Sequence, residues 1–126
     1  MNKIILMLSL IFSFATNVEA STQSTCEKAL LSLMWEDINK AVNKNYDFEG
    51  VQVWNERIIS LKMTGGLTFE ATVQIDTFIG AHNTIGTDTL KFTRELDGLK
   101  LISYKHTPSK HKKEVLEWYL KKSAQP

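Results

Sequence analysis

The stretch "LTFEATVQIDTF", residues 67–78, alternates apolar and polar side chains without a break. Leu67, Phe69, Ala71, Val73 and Ile75 fall on one face, and Thr68, Glu70, Thr72, Gln74 and Asp76 on the other. Period-two alternation over this length describes a strand with one dry and one wet face, which is the habit of antiparallel sheets. Its partners must supply matching dry faces, and something must cover that side.

The neighbouring segments meet the requirement. In "VQVWNERIISLKM", residues 51–63, Val51, Val53, Ile59, Leu61 and Met63 share a face. The "TGG" that follows predicts a hairpin. A two-residue Gly65-Gly66 loop would set Leu61 against Glu70. A three-residue loop, Thr64–Gly66, pairs Met63 with Leu67, Leu61 with Phe69 and Ile59 with Ala71, so the pattern selects it. A third strand is expected in "TDTLKFTREL", residues 87–96, and a fourth in "LKLISYKH", residues 99–106. Between these two, a loop of Leu96, Asp97 and Gly98 sets Phe92 against Ile102, Leu90 against Tyr104 and Asp88 against His106. A two-residue Asp97-Gly98 loop would set Glu95 against Lys100 instead.

Cover for the dry face comes from residues 25–46, where Leu30, Leu33, Met34, Ile38, Ala41 and Val42 recur at helical spacing. Thr107-Pro108 reads as the N-cap and first residue of a second helix through "SKHKKEVLEWYLKKS". The expected fold is therefore α+β: an N-terminal helix packed on a four-stranded antiparallel meander sheet, plus a short C-terminal helix.

Residues 1–20 form a separate unit. Lys3, an apolar run from Ile4 to Ala15, and Val18-Glu19-Ala20 make the three-part build of a signal peptide cleaved after about Ala20. The run falls short of the roughly 20 residues that span a bilayer. A secreted chain of residues 21–126, folded as a single domain, is the expectation. Fifteen basic against 14 acidic residues leave no field that favours nucleic acid. Cys26 is the one cysteine, so an intramolecular disulfide is impossible. A buried, small apolar role on a helix is expected for it, with an intermolecular disulfide as the alternative.

The meander brings distant residues together. The second and third strands join through "FIGAHNTIG", and the fourth ends at the same rim. His82, Asn83, Asp88 and His106 should therefore gather there. Two histidines and a carboxylate can hold zinc or move protons, yet no HExxH, CxxC or GxSxG motif accompanies them. In the plainer reading, Gly80, Asn83 and Gly86 supply turn geometry. Trp35, Trp54 and Tyr104 are candidate lining for a pocket between helix and sheet. No motif calls for a cofactor.

The segments "ALLSLMWEDINKAV", "FEATVQIDTFIGAHN", "DTLKF" and "LISYKH", about residues 26–106, resemble the domain of unknown function 3888, a family of small exported Gram-positive proteins. "TFIGAHN" followed by "DTLKF" is the most specific part. In that family the loop after the His-Asn pair is usually proline-rich with an aromatic; here it is the shorter "TIG". The resemblance implies export and Gram-positive origin, and suggests that Gly80, His82, Asn83 and His106 follow a shared pattern. It implies no reaction. The lysine-rich residues 107–126 look like an extension beyond the shared core. A non-enzymatic binding or envelope-associated domain is the first functional expectation. A small metal-dependent or hydrolytic enzyme using His82 and His106 is the second. A structural homodimer, formed through Cys26 or a sheet edge, is the third.

Overall fold

A computed structural model describes residues 25–81 and 83–125. Residues 1–24, where a signal peptide is expected, and His82 lie outside the described residues. The chain divides into two compact units, Met1–Leu33 and Met34–Pro126. The described residues of the first, 25–33, are helical, and Cys26 among them is exposed. That corrects the expectation of a buried thiol.

The fold is α+β. Helix α1 occupies residues 25–45. Strands β1 (Gln52–Met63), β2 (Phe69–Ile79), β3 (Asn83–Glu95) and β4 (Gly98–Pro108) follow, and after them helix α2 (Lys112–Ser123). The strands form one antiparallel sheet in the order β1-β2-β3-β4. The buried stripe Met34, Ile38, Ala41 and Val42 of α1 and the buried sheet residues Ala71, Val73, Ile75, Leu90 and Phe92 make the core. Complete removal of the Met, Ile, Val, Leu and Phe side chains among them from water contributes about 1.5–3 kcal/mol each. The opposite face of the sheet is polar. Asp76 accepts from Asn55 Nδ2 at 2.8 Å and from Thr87 Oγ1 at 3.0 Å, and Arg57 Nε donates to Gln74 at 2.9 Å.

Both hairpins depart from the expected registers. Between β1 and β2 the pairs are Met63 with Phe69 and Leu61 with Ala71, so the loop is the five residues Thr64–Thr68. Thr64 closes it, through its backbone N–H to the Thr68 carbonyl at 3.0 Å and through hydroxyl to hydroxyl at 2.9 Å. Apolar still meets apolar, because a two-residue slip preserves parity. Farther along, β1 bulges between Trp54 and Arg57, where Asn55 takes φ 55°. A left-handed residue of this kind suits Asn better than a branched side chain.

Between β3 and β4, Glu95 pairs with Gly98, leaving Leu96-Asp97 as a two-residue loop that neither expected alternative contained. Phe92 then pairs with Leu101, not Ile102. A bulge at Ile102 absorbs one residue, and from Lys91 onward the pairing is the expected one: Leu90 with Tyr104 and Asp88 with His106. The "FIGAHNTIG" stretch is less of a loop than expected. β2 continues to Ile79 and β3 starts at Asn83; between them Gly80, at φ 58°, and Ala81 turn. Gly86 lies inside β3, paired with Thr77 and Pro108, so it is not a turn glycine. Thr107 and Pro108 end β4 and do not start a helix; the helix N-cap is His111.

Candidate functional site: a buried carboxylate at the rim

Three elements of the second unit converge where β4 ends. Asp88 projects from the dry face of β3 and is completely buried. A buried carboxylate is tolerable only when its oxygens are hydrogen-bonded. Here Oδ2 accepts from the Tyr46 hydroxyl at 2.6 Å and from the Tyr104 hydroxyl, and Oδ1 faces His106 Nδ1. Tyr46 follows the end of α1, while Tyr104 and His106 are two residues apart on β4 and so share a face. The Tyr46 oxygen also lies 2.9 Å from His106 Nδ1 and 3.2 Å from Thr77 Oγ1. Among the described residues no buried side-chain nitrogen or oxygen lacks a partner.

The other nitrogen of the ring, His106 Nε2, lies 2.8 Å from Lys112 Nζ. An ammonium has only protons to give, so Nε2 must carry a lone pair in this contact. The ring proton then sits on Nδ1, facing Asp88. Both nitrogens of His106 are thus occupied, one by a buried carboxylate and one by the first residue of α2.

Gly86 makes room for this. A Cβ placed there would fall 2.6 Å from the Thr107 carbonyl oxygen and 3.1 Å from His106 Nδ1, and closer still to His106 Cε1. The imidazole lies in the space that any side chain at 86 would need.

Burial, more than any other cause, pushes the Tyr46 hydroxyl well above the ordinary phenol range, and the hydrogen bond to Asp88 adds to it. Tyr104 is raised for the same two reasons, burial first. The sign of the consequence follows from linkage. A phenol whose folded pKa is raised contributes stability that is complete below its unfolded pKa, about 10, and is lost as pH climbs above that value. The urea midpoint should therefore fall above pH ~10, with a dependence of up to about two protons per molecule. Subtracting the curve of a Tyr46→Phe/Tyr104→Phe double variant isolates these phenols from the lysines. An equal gap between the two proteins at pH 8 and pH 11 would refute the assignment.

Of the residues expected at the rim, Asp88 and His106 pair as the register required, and Tyr104 joins them as a donor. Asn83 begins β3 and lines a separate open cleft of about 330 Å³ with Glu114, Val115 and Trp118 of α2. Trp35 and Trp54 do not line that cleft. Trp35 is 42% exposed on α1, and Trp54 is 44% exposed with its ring edge-on to Phe78 at 5.8 Å. Among the described residues no three His, Cys, Asp or Glu side chains gather as a metal site would need. Tyr46, Thr77 and Lys112 are members that sequence reasoning passed over.

The family described as "Protein of unknown function (DUF3888)" matches residues 26–108, which takes in the sheet and every member of the network except Lys112. Comparison with curated proteins and with solved structures gave no match.

Proposed function

We propose that this chain, which belongs to the DUF3888 family, is an exported domain that binds a saccharide polymer of a Gram-positive envelope at its rim cleft. Export rests on the build of residues 1–20, and the Gram-positive setting on the family resemblance. One observation carries the binding reading: the proton carrier of the rim, His106, is occupied on both nitrogens, whereas the separate cleft between Asn83 and α2 is open. The cleft has the composition of a binding site, with an apolar and aromatic floor and a few polar groups to orient a ligand. Trp118 is 56% exposed, so part of its indole is free to stack on a sugar ring, and Lys122 Nζ sits 5.0 Å from the ring centroid. Asn83 and Glu114 offer an amide and a carboxylate to hydroxyl groups.

Sedimentation with isolated Gram-positive cell walls tests this. The protein should pellet with the walls, and Trp118→Ala should lower the bound fraction at least fivefold. Failure to pellet, or equal binding by the variant, would refute the reading. The buried Asp88–His106 pair favours a second one, since a carboxylate on imidazole Nδ1 is how hydrolytic enzymes orient a general base. Soluble saccharide released from the walls over hours would support that alternative.

A further inference from the structure

We infer that α2 is a strap over the rim, fastened by Lys112 to neutral His106 and released when His106 takes up a proton. The strap itself stands on the geometry of the fold; its consequence for ligand binding rests on the reading of the cleft given above.

Helix α2 has little else to hold it. None of its residues is buried, and its N-cap residue, His111, makes no side-chain cap. The chain leading into it is pinned at Ser109, whose N–H and hydroxyl donate to the Ile85 and Thr84 carbonyls, both at 2.9 Å. Beyond that point, Lys112 reaches His106, and Tyr119 lies against Gly50 and Gly80. An element with few buried apolar contacts belongs to the low-stability end of a fold. A single polar contact at its first turn therefore carries weight.

That contact depends on the charge of the imidazole. Among the described residues, the groups facing His106 are Asp88 from β3, Tyr46 from the segment after α1, and Lys112 from α2. On its own strand Tyr104 holds the far oxygen of Asp88, and β2 presents Thr77, which does not titrate. When a proton adds to the ring, it can go only to Nε2, because Nδ1 already bears one. Nε2 then becomes a donor facing a donor, and two cations meet where a hydrogen bond was. Asp88 keeps its bond to Nδ1 in both states, so the ring stays and the lysine leaves. Imidazole is the side chain that ordinarily changes charge between about pH 5 and 8.

Release would undo the cleft, since Glu114, Val115 and Trp118, three of its lining residues, are carried by α2. The saccharide would be held at neutral pH and let go in acid.

Amide hydrogen exchange of the protein at pH 7.5 and pH 5.0, corrected for intrinsic rates, reads the strap without any ligand. Protection of residues 115–122 should fall at least tenfold at pH 5.0, while β2 and β3 keep theirs. Lys112→Met should show the low protection at both pH values. His111→Asn, which removes the imidazole that pairs with Glu114 at 3.4 Å, should keep the acid response. Equal α2 protection at the two pH values, a surviving response in Lys112→Met, or its loss in His111→Asn would overturn the strap. A responsive strap on a protein that ignores cell walls would refute the binding reading alone.

Discussion

Asp88→Ala should cost about 3–5 kcal/mol of folding stability, the range seen when one partner of a buried charged network is removed. The variant deletes the sole acceptor shared by three groups. The Tyr104 hydroxyl loses the partner it has in the structure, His106 Nδ1 keeps only the Tyr46 oxygen, and Tyr46 keeps only Thr77 and the ring. Asp88 has no exposed surface and the three donors around it are half-buried, so each stranded donor bears a large part of its desolvation cost. For a domain near 100 residues this amounts to a fall of about 15–25 °C in melting temperature, or failure to fold. Tyr104→Phe removes one donor and leaves the acceptor occupied by the others, so about 1.5–3 kcal/mol is expected from it. Urea denaturation of both variants decides the matter. A loss below about 1 kcal/mol for Asp88→Ala would mean that the carboxylate is solvated and that no network exists. Replacing Asp88, Tyr46, Tyr104 and His106 together by apolar residues should restore part of the loss. Buried polar groups of this kind cost as much to desolvate as their bonds return, which makes the cluster a device for placing side chains more than a source of stability.

Part of this cluster was legible in the chain. Asp88 opposite His106 follows from strand parity and the pairing of Leu90 with Tyr104, and the structure has both. The exact loops were not legible. Alternation fixes which face a residue occupies, not which of two positions two residues apart it pairs with. The five-residue loop at Thr64–Thr68 and a three-residue loop satisfy the pattern equally. The Ile102 bulge escaped for a related reason: bulges insert one residue and carry no composition of their own here. Tyr46 was invisible as a ligand of Asp88 because it lies 42 positions away and read as the last residue of the helix, outside its apolar stripe, whereas the helix ends one residue before it. Lys112 read only as part of the lysine-rich stretch 107–126, and the end of β4 at Pro108 brings it to His106. Cys26 was expected to be buried on the habit of its residue type, and its exposed position shows how weak that habit is for one residue.

Gly86 was the residue most misjudged from sequence, and it supports the second large expectation. Placed among "GAHNTIG" it resembles a turn residue, but the turn ends before it, and its need for hydrogen in place of Cβ comes from β4. Gly86→Ala introduces one methyl group against the Thr107 carbonyl oxygen and the His106 ring. The carbonyl belongs to a paired strand and cannot move without opening the β3–β4 ladder. The ring can move, but only by leaving Asp88. Overpacking of this kind costs about 1–3 kcal/mol, and a displaced ring would add the loss of the bond between His106 and the buried carboxylate, putting Gly86→Ala at or above the top of that range. Gly66→Ala is the matched control: a Cβ at Gly66 meets nothing within 4 Å, and a change within about ±0.5 kcal/mol is expected, as at ordinary surface positions. The two variants differ by the same single methyl group, so their difference in urea midpoint measures what lies over Gly86. The nitrogen resonances of His106 supply an independent reading, since Nδ1 loses its carboxylate partner in Gly86→Ala and keeps it in Gly66→Ala. If Gly86→Ala matches the control in both measurements, the ring does not lie over Gly86. The strap would then lose its footing as well, because Lys112 reaches the imidazole only where the absent side chain lets it lie.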